Sequence, residues 1–515
     1  MRESVVRALA SWRTASVSLL SFASGLPLGL VWIAIPDWMR SVGVDIRIVG
    51  LFTLAQAPWT FKMVWAPLMD RYAPPFLGRR RGWALVMQIV LSVLILMLAG
   101  VGHHPETPWV VAALALAIAF ASASQDIAID AYAVEVLEKN EQGAVVGARI
   151  AAYRAAMYVA GGLTITLAGA TSWPLTNVLL ALLFLPMMLI TWKAPPPSVE
   201  PAQPQTLREA VWQPFLEFLG RHRALEILAF VFLYKIADNL ADGLLRPFLF
   251  DKGYSHFDRG FSLATLGLVG IVGGTFIGGL WTNVLGLGRA LWVFGFLQIF
   301  SNLGYVLVAR ADAHQLLMYG ALSFEKFTSG LGTGAFSVLL LRMTRKRFSA
   351  TQYALFSSLF SLPRIVAGPI AGFTVDAVGW EWFFWGTIVA GIPGLLMLQR
   401  FSPLGVREPE FIVEAPRRRR PLSAAALTLR GVIGALLGFA FAASCSALLA
   451  AMKAARGDDG VFDFTAAWVD LLQPGAISDW LGLLGFGIFA AVIGLSTAAV
   501  FAARHGAAAS GGAPE

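Results

Sequence analysis

Ser122-Ala-Ser-Gln-Asp126-Ile-Ala-Ile-Asp130-Ala-Tyr132 is a polar stretch near the expected cytoplasmic end of an otherwise apolar segment that spans residues 108–136. Asp126 and Asp130 are four residues apart. On a helix both carboxyls therefore project from one face, with Ser122 one turn earlier. Charge at that depth is costly. Ionisable groups inside a bilayer face a bundle interior or a wet cavity, where they mark ion or solute paths. The competing reading is that two acidic residues cap a helix end near water, which suits Asp130 better than the deeper Asp126.

Composition sets the class. The 515 residues are 57% hydrophobic and 14% charged, with a mean hydropathy of +0.68. That is too apolar for a soluble globular chain of this length and describes a polytopic membrane protein. A spanning helix needs roughly 20 apolar residues, and about fourteen such segments can be read along the chain. Closed barrels alternate in short strands, so the expected bundle is all α-helical. The lone Cys445 excludes an internal disulfide and a cysteine-based metal cluster. The net charge of +8 is concentrated in alternate loops, which fits the positive-inside pattern better than nucleic acid. The basic start, Met1 to Arg13, leads into an apolar segment without a small-residue cleavage site and reads as a retained first helix.

Six spans are expected at about residues 14–38, 46–69, 82–102, 108–136, 143–170 and 174–192. Residues 1–195 form the first half on this reading. A proline-rich, charged linker, 196–223, carries Leu207, Val211, Phe215 and Leu219 at helical spacing and reads as a helix in the membrane surface. Six more spans follow within 224–402, at about 224–250, 260–285, 290–309, 315–341, 350–377 and 382–401. A basic cytoplasmic loop, 403–423, contains Arg417 to Arg420. Two additional spans lie within 424–503, and 504–515 is a small-residue tail expected to be disordered. An even span count with basic inner loops places both termini in the cytoplasm. Arg154 with Ala160-Gly161-Gly162 echoes Arg364 with Ala367-Gly368-Pro369, a short internal repeat of the kind secondary transporters contain.

The charges placed within spans are Lys62, Asp126, Asp130, Arg154, Lys235, Asp238, Asp242, Glu325, Lys326 and Arg364, five basic and five acidic. Such a balance suggests pairing around a common cavity. Counting from the inner edge puts Lys62, Asp126, Asp130 and Arg154 at similar depth, while Arg149 and Arg246 fall nearer helix ends. On a continuous seventh span, Lys235, Asp238, Asn239, Asp242 and Arg246 would share roughly 100° of arc. Ser357, Ser361, Arg364 and Gly368 likewise share a face of the eleventh. Structural ion pairing is the rival reading for each member. His103 and His104 read as a solvated turn with no third ligand nearby.

The loop from Asp70 to Gly78-Arg79-Arg80, read with the second span, resembles the signature between the second and third helices of the major facilitator superfamily, with a longer aspartate-to-glycine spacing than usual. More specific matches are Ser21-Phe-Ala-Ser-Gly-Leu-Pro-Leu28, Gln56-Ala-Pro-Trp-Thr-Phe-Lys62, Trp65-Ala-Pro-Leu-Met-Asp-Arg-Tyr72, Pro75-Phe-Leu-Gly-Arg-Arg-Arg-Gly-Trp83 and Ser122-Ala-Ser-Gln-Asp-Ile127. These resemble the anhydromuropeptide permeases, some of which carry two extra C-terminal helices; the acetyl-CoA transporters share parts of the same signatures.

The resemblance implies two six-helix halves plus two added helices, and proton-driven import of N-acetylglucosaminyl-1,6-anhydro-N-acetylmuramyl peptides across a bacterial inner membrane for wall recycling. The alternative is another anionic solute, an acetyl-CoA-type or peptide substrate. Asp126, Asp130 and Glu325 are the proton-coupling candidates, with Asp126 foremost and Asp130, Lys62 and Arg154 setting its affinity. Substrate-binding candidates are Gln56, Lys62, Gln125, Arg154, Tyr158, Lys235, Asp238, Asn239, Asp242 and Arg364, and Trp32 and Trp59 offer rings to sugars. Asp70, Arg71, Gly78, Arg79 and Arg80 are expected to act as an inner gate. No cofactor, metal or nucleic acid is implied, and the partners are the glycopeptide, protons and lipid, with the chain as a monomer. The sequence has no zinc-protease or nucleophile-elbow motif, which argues against an intramembrane enzyme, and the expected two-half organisation argues against a channel.

Overall fold

The computed structural model describes residues 11–44, 55, 57–101, 108–198, 202–221, 223–410, 422–456, 462–475 and 477–505. The described chain is helical, with no strand. It divides into two compact units, Met1–Val211 with Leu225–Phe411 and Trp212–Ala224 with Ile412–Glu515.

In the first unit, α1 (Trp12–Gly29) is capped by the Ser11 hydroxyl and runs through a π-helical turn, Leu30–Ala34, into α2 (Ile35–Ser41). The region of the expected second span follows as α3 (Ala57–Phe61), a 3₁₀ turn Lys62–Val64, and α4 (Ala66–Arg71). It is broken at Phe61 (φ −99°, ψ 9°) and again at the turn residue Trp65, where Pro67 opens the next helix. Next come α5 (Gly78–Gly100), α6 (Pro108–Val136) and α7 (Lys139–Tyr158), the last started by a reciprocal Glu138/Glu141 capping box. A π-helical turn, Val159–Leu163, leads to α8 (Thr164–Ala170), then α9 (Trp173–Leu182) and α10 (Phe184–Lys193).

The helix α11 (Leu207–Leu219) occupies the linker. The expected continuous seventh span is instead three short helices, α12 (Ala224–Leu233), α13 (Ile236–Gly243) and α14 (Leu245–Asp251). They are interrupted at Lys235 (φ −107°, ψ 8°) and Leu244 (φ −120°, ψ 16°). Pro247 lacks the N–H that would serve the Gly243 carbonyl, which accounts for the second interruption. After α15 (His256–Gly260) and a π-helical turn, Phe261–Leu266, come α16 (Gly267–Leu285), α17 (Leu287–Ser301), α18 (Leu303–Arg310), α19 (Gln315–Met343) and α20 (Ser349–Phe401). The last contains two expected spans meeting at Gly379, whose φ of 80° favours glycine.

Ten helices among the described residues are long and apolar enough to cross a membrane. The expected segments absent from these ten are the second, seventh, tenth and eleventh. The second and seventh are broken, and the four include the segments that carry Lys62, Lys235 with Asp238 and Asp242, Glu325 with Lys326, and Arg364. The exact count of fourteen is therefore not reproduced by length and composition.

Lipid is as apolar as a leucine side chain, so close packing of small residues holds such helices together. At Gly25 and Gly29 of α1 an added Cβ would collide with the Tyr153 and Met157 carbonyls of α7. Helices α16 and α19 approach through Gly274 and Gly278, while Gly143 of α7 and Gly279 of α16 meet backbone to backbone. One apolar core joins residues such as Leu26, Trp38, Leu91, Ile118 and Phe184, with Trp38 stacked on Trp173 at 5.3 Å. A second gathers Phe248, Tyr305, Met318 and Phe384.

In the second unit, α21 (Ala424–Arg456), α22 (Phe464–Leu471) and α23 (Ile477–His505) form a small bundle. Gly434 and Gly438 of α21 meet Thr497 and Ile493 of α23. The arginine run 417–420, His103, His104 and the tail beyond residue 505 lie outside the described residues.

Candidate functional site

Helix α6 presents Asp126 and Asp130 to a cavity of ≈ 250 Å³ also lined by Ser24, Lys62, Arg149 and Tyr153. Their two environments differ. Asp130 accepts from Lys62 Nζ at 3.2 Å and from an Arg149 amino group at 2.6 Å, and Arg149 Nε also donates to Ser21 Oγ at 2.9 Å. Asp126 meets the Ser24 hydroxyl and makes no ion pair among the described residues. Its Oδ1 has no hydrogen-bond partner there.

Arg149 occupies the place in this cluster that depth counting gives to Arg154. Helix α7 begins at Lys139, so Arg149 lies well within it, and its side chain crosses to Asp130 and Ser21. Arg154 makes no hydrogen bond or ion pair among the described residues and lies within electrostatic range of Tyr153, Arg364 and Asp242. Gln125 is fully buried, and neither amide atom has a partner among the described residues; the Ser122 hydroxyl is likewise unpartnered. Trp32 and Trp59 meet edge to face at 6.0 Å, with both indole N–H groups unpartnered among the described residues. Tyr158 is 64% exposed, and Gln56 lies outside the described residues.

A second cluster joins α12 to α14 with α17, α18 and α19. Lys235 Nζ donates to Asp238 at 2.7 Å, to the Ser329 carbonyl at 2.8 Å and to Gln298 Oε1, so its donors are occupied by protein. Ser329 Oγ donates to Asp238 at 2.7 Å. Asn239 donates its side-chain amide to the Lys235 carbonyl at 2.9 Å, which also accepts the Asn239 backbone N–H at 3.0 Å. Lys326 pairs with Asp242 and, at 3.2 Å, with Glu325, whose other contact is the Tyr305 hydroxyl at 2.8 Å. Glu325 is fully buried, and its Oε1 has no partner among the described residues. The continuous polar stripe expected on the seventh span is thus dispersed by the two breaks into separate ion pairs.

The third cluster is the loop between α4 and α5. Leu77 (φ 58°) and Gly78 (φ 71°) are consecutive left-handed residues that start α5. From that start Arg79 and Arg80 reach inward. Arg80 pairs with Asp70 at 2.5 Å and with Glu135 at 2.7 Å, and Arg79 donates to Glu135 at 3.1 Å. Asp70 also accepts from the Thr351 hydroxyl at 2.6 Å and the Thr351 N–H at 2.8 Å. It thereby caps the first turn of α20, where a helix presents free N–H groups and positive potential. Ser349 Oγ donates to Glu135 at 2.6 Å, and Lys346 donates to the Glu135 carbonyl at 3.1 Å. Asp70, Arg79, Arg80 and Glu135 are all buried. Arg71 instead lies over the Tyr72 ring at 5.4 Å.

Glu135, Ser349 and Thr351 were not legible as members. The available signal was arithmetic: four arginines between residues 70 and 81 against a single acid in that loop call for a second carboxylate elsewhere.

Helices with paired charges around a cavity and a buried ionic clasp on a loop define a membrane transporter of the major facilitator class, and residues 17–368 match the family model described as Major Facilitator Superfamily. The chain belongs to the anhydromuropeptide permease family within that superfamily. It is 42% identical over 388 residues to the anhydromuropeptide permease of Escherichia coli K12, covering 75% of this chain and 79% of that one. It is 28% identical to putative transporter AmpG 4 of Rickettsia felis, over 76% of this chain and 97% of that one. Among solved structures, the fucose:proton symporter of E. coli aligns at a TM-score of 0.60 with 11% identity, over 75% of this chain and 96% of that one. A bacterial homologue of ferroportin in an outward-facing state aligns at 0.58 with 12% identity, over 75% and 98%. These two show the fold. The protein is a multi-pass membrane transporter and not an enzyme.

Proposed function

We propose that the protein imports N-acetylglucosaminyl-1,6-anhydro-N-acetylmuramyl peptides from periplasm to cytoplasm, coupled to protons, for peptidoglycan recycling. The observation that carries this reading is the 42% identity to the E. coli permease over three quarters of the chain. The proposed carrier is a monomer in the bacterial inner membrane. It has two six-helix halves, two added C-terminal helices, fourteen spans in all and both termini cytoplasmic.

In the proposed mechanism, the 250 Å³ cavity of α6 and α7 belongs to the path between the halves. Asp130 serves as the fixed counter-charge of Lys62 and Arg149. Asp126 is the proton carrier, because a buried carboxyl oxygen without a protein partner costs free energy that a proton or a solute donor relieves. Two carboxyls one helical turn apart titrate as a pair, so the proton affinity belongs to the cluster. Glu325, beside Lys326, is the second candidate. The Asp70–Arg80–Glu135 clasp, with Ser349 and Thr351 of α20, closes the cytoplasmic side while the opposite side is open. Carrier alternation is a shift between two such states, each favoured by its own contacts.

Uptake of labelled anhydromuropeptide into membrane vesicles tests this. Accumulation that a protonophore abolishes is the expected result. Uptake that stops at equilibration and ignores the protonophore would remove proton coupling, and absence of uptake would remove the substrate.

A further inference from the structure

The charged side chains that line the Asp126 cavity, among the described residues, are Lys62, Arg149, Asp130 and Asp126. Three of them form one connected group, in which Asp130 accepts from Lys62 Nζ at 3.2 Å and from Arg149 at 2.6 Å. Tyr153 of α7 and Tyr353 of α20 bring hydroxyls, which are neutral at ordinary pH. Further along α6, Glu135 is taken up by Arg79 and Arg80 of the clasp. The net charge of the cavity therefore turns on Asp126. Ionised, it leaves the cavity neutral; protonated, it leaves one positive charge over. Asp126 is 9% exposed, and its Oδ1 has no partner among the described residues. Lys62 is buried too, yet its ammonium, with three donors, makes one hydrogen bond among the described residues, to Asp130. The Lys235 ammonium is instead surrounded by Asp238, Gln298 and Ser329. Lys62 thus keeps donors for a solute, and Lys235 does not. At ≈ 250 Å³ the cavity is smaller than the roughly 300–1,000 Å³ that encloses a drug-sized ligand, so it receives one end of a large solute.

We infer that this cavity takes up a proton and one carboxylate of the solute as a pair, the proton on Asp126 and the carboxylate against Lys62 and Arg149. This rests on the importer reading given above and names the group that travels with the proton. Net charge in a place shielded from water is costly, so a proton on Asp126 without an anion is disfavoured, and so is an anion beside an ionised Asp126. Together they leave the cavity neutral, and each raises the affinity for the other by the same factor. The proton comes from water on the side where the cavity is open, the solute carboxylate stays ionised, and both leave on the other side. Ser337 of α19 and Tyr353 of α20 meet the α6 and α7 residues across this cavity. Closing these helices over an unbalanced charge is resisted, and the carrier crosses with both passengers or with neither. In an anhydromuropeptide the anionic groups are the carboxylates of the peptide, so the peptide end enters.

The test measures binding and proton uptake together, on the full-length protein in lipid nanodiscs in weak buffer with a pH indicator. Three probes are used: an anhydromuropeptide with free peptide carboxylates, the same compound amidated, and the free peptide without sugars. Wild type is expected to take up close to one proton with the free acid and none with the amide. Its affinity for the free acid should tighten by up to about tenfold for each pH unit lowered, the limit for one linked proton. Asp126→Asn should remove the proton uptake and the pH dependence, holding the free acid at every pH as wild type does at low pH. Lys62→Gln should weaken the free acid about tenfold to a hundredfold, the scale of a hydrogen bond to a charged group. The amide should change little in either variant, which also reports that each is folded. Equal proton uptake with acid and amide, or uptake that survives Asp126→Asn, would overturn the pairing and leave the importer reading standing. Binding of the free peptide with one proton, without binding of the anhydromuropeptide, would keep the pairing and overturn the muropeptide as its source.

Discussion

Asp130 accepts from two cations, Lys62 at 3.2 Å and Arg149 at 2.6 Å, whereas Asp126 one turn earlier leaves Oδ1 without a partner among the described residues. The same substitution should therefore do different things at the two positions. Asp130→Asn strands two cations in a mostly buried place, and breaking such a pair is expected to cost about 3 kcal/mol of stability, read as a lowered unfolding temperature in detergent. Asp126→Asn keeps shape and strands no ion pair. It should leave stability and solute exchange near wild type while accumulation against a gradient collapses. If Asp126→Asn still accumulates solute, and a protonophore still abolishes that accumulation, the carrier lies elsewhere and Glu325 or Asp242 is next.

Elements meet where glycine removes the side chain between them. At the crossing of α7 and α16, a Cβ on Gly279 would overlap the Gly143 carbonyl, and one on Gly143 would overlap the Gly279 carbonyl. Gly279→Ala must therefore push two backbones apart, at an expected cost of about 1–3 kcal/mol. Gly320 of α19 has nothing within 4 Å of an added Cβ. Gly320→Ala should stabilise by about 0.5–1 kcal/mol through helix propensity alone. Thermal unfolding of the two variants checks the contrast, and equal shifts would show that the crossing is not tight. Helix positions were largely legible from apolar run length, since each ten-helix candidate coincides with an expected span to within a few residues. The breaks at Lys235 and Leu244 were not. A run rich in leucine and phenylalanine reads as continuous unless the lost N–H of Pro247 is traced back to the carbonyl it leaves unserved. That Asp126 and Asp130 share one helix face, and so one cavity, was visible from spacing alone. The partnership of Arg149 was not, because residue counting gives depth along a helix and not the direction a long side chain takes.

At the scale of the whole molecule, the clasp around Asp70 joins residues far apart in the chain. Arg80 lies ten residues from Asp70, while Thr351 lies 281 residues away. Asp70 is fully buried and holds the first turn of α20 through both the N–H and the hydroxyl of Thr351. Removing its carboxylate leaves Arg80 with Glu135 and Ser349 but frees the α20 terminus. A contact made in one state and absent from the other sets the balance between them, and each 1.4 kcal/mol lost shifts that balance about tenfold. Asp70→Ala should therefore reach the membrane in normal amount, transport more slowly, and spend more time open on the side that the clasp closes. A cysteine at Ser337, which lines the Asp126 cavity, reports this once the native thiol is removed by Cys445→Ser. An impermeant thiol reagent applied from the cytoplasmic side should label it faster in the Asp70→Ala background than in the otherwise matched protein. Unchanged labelling together with wild-type uptake would make the clasp a static brace and not a gate.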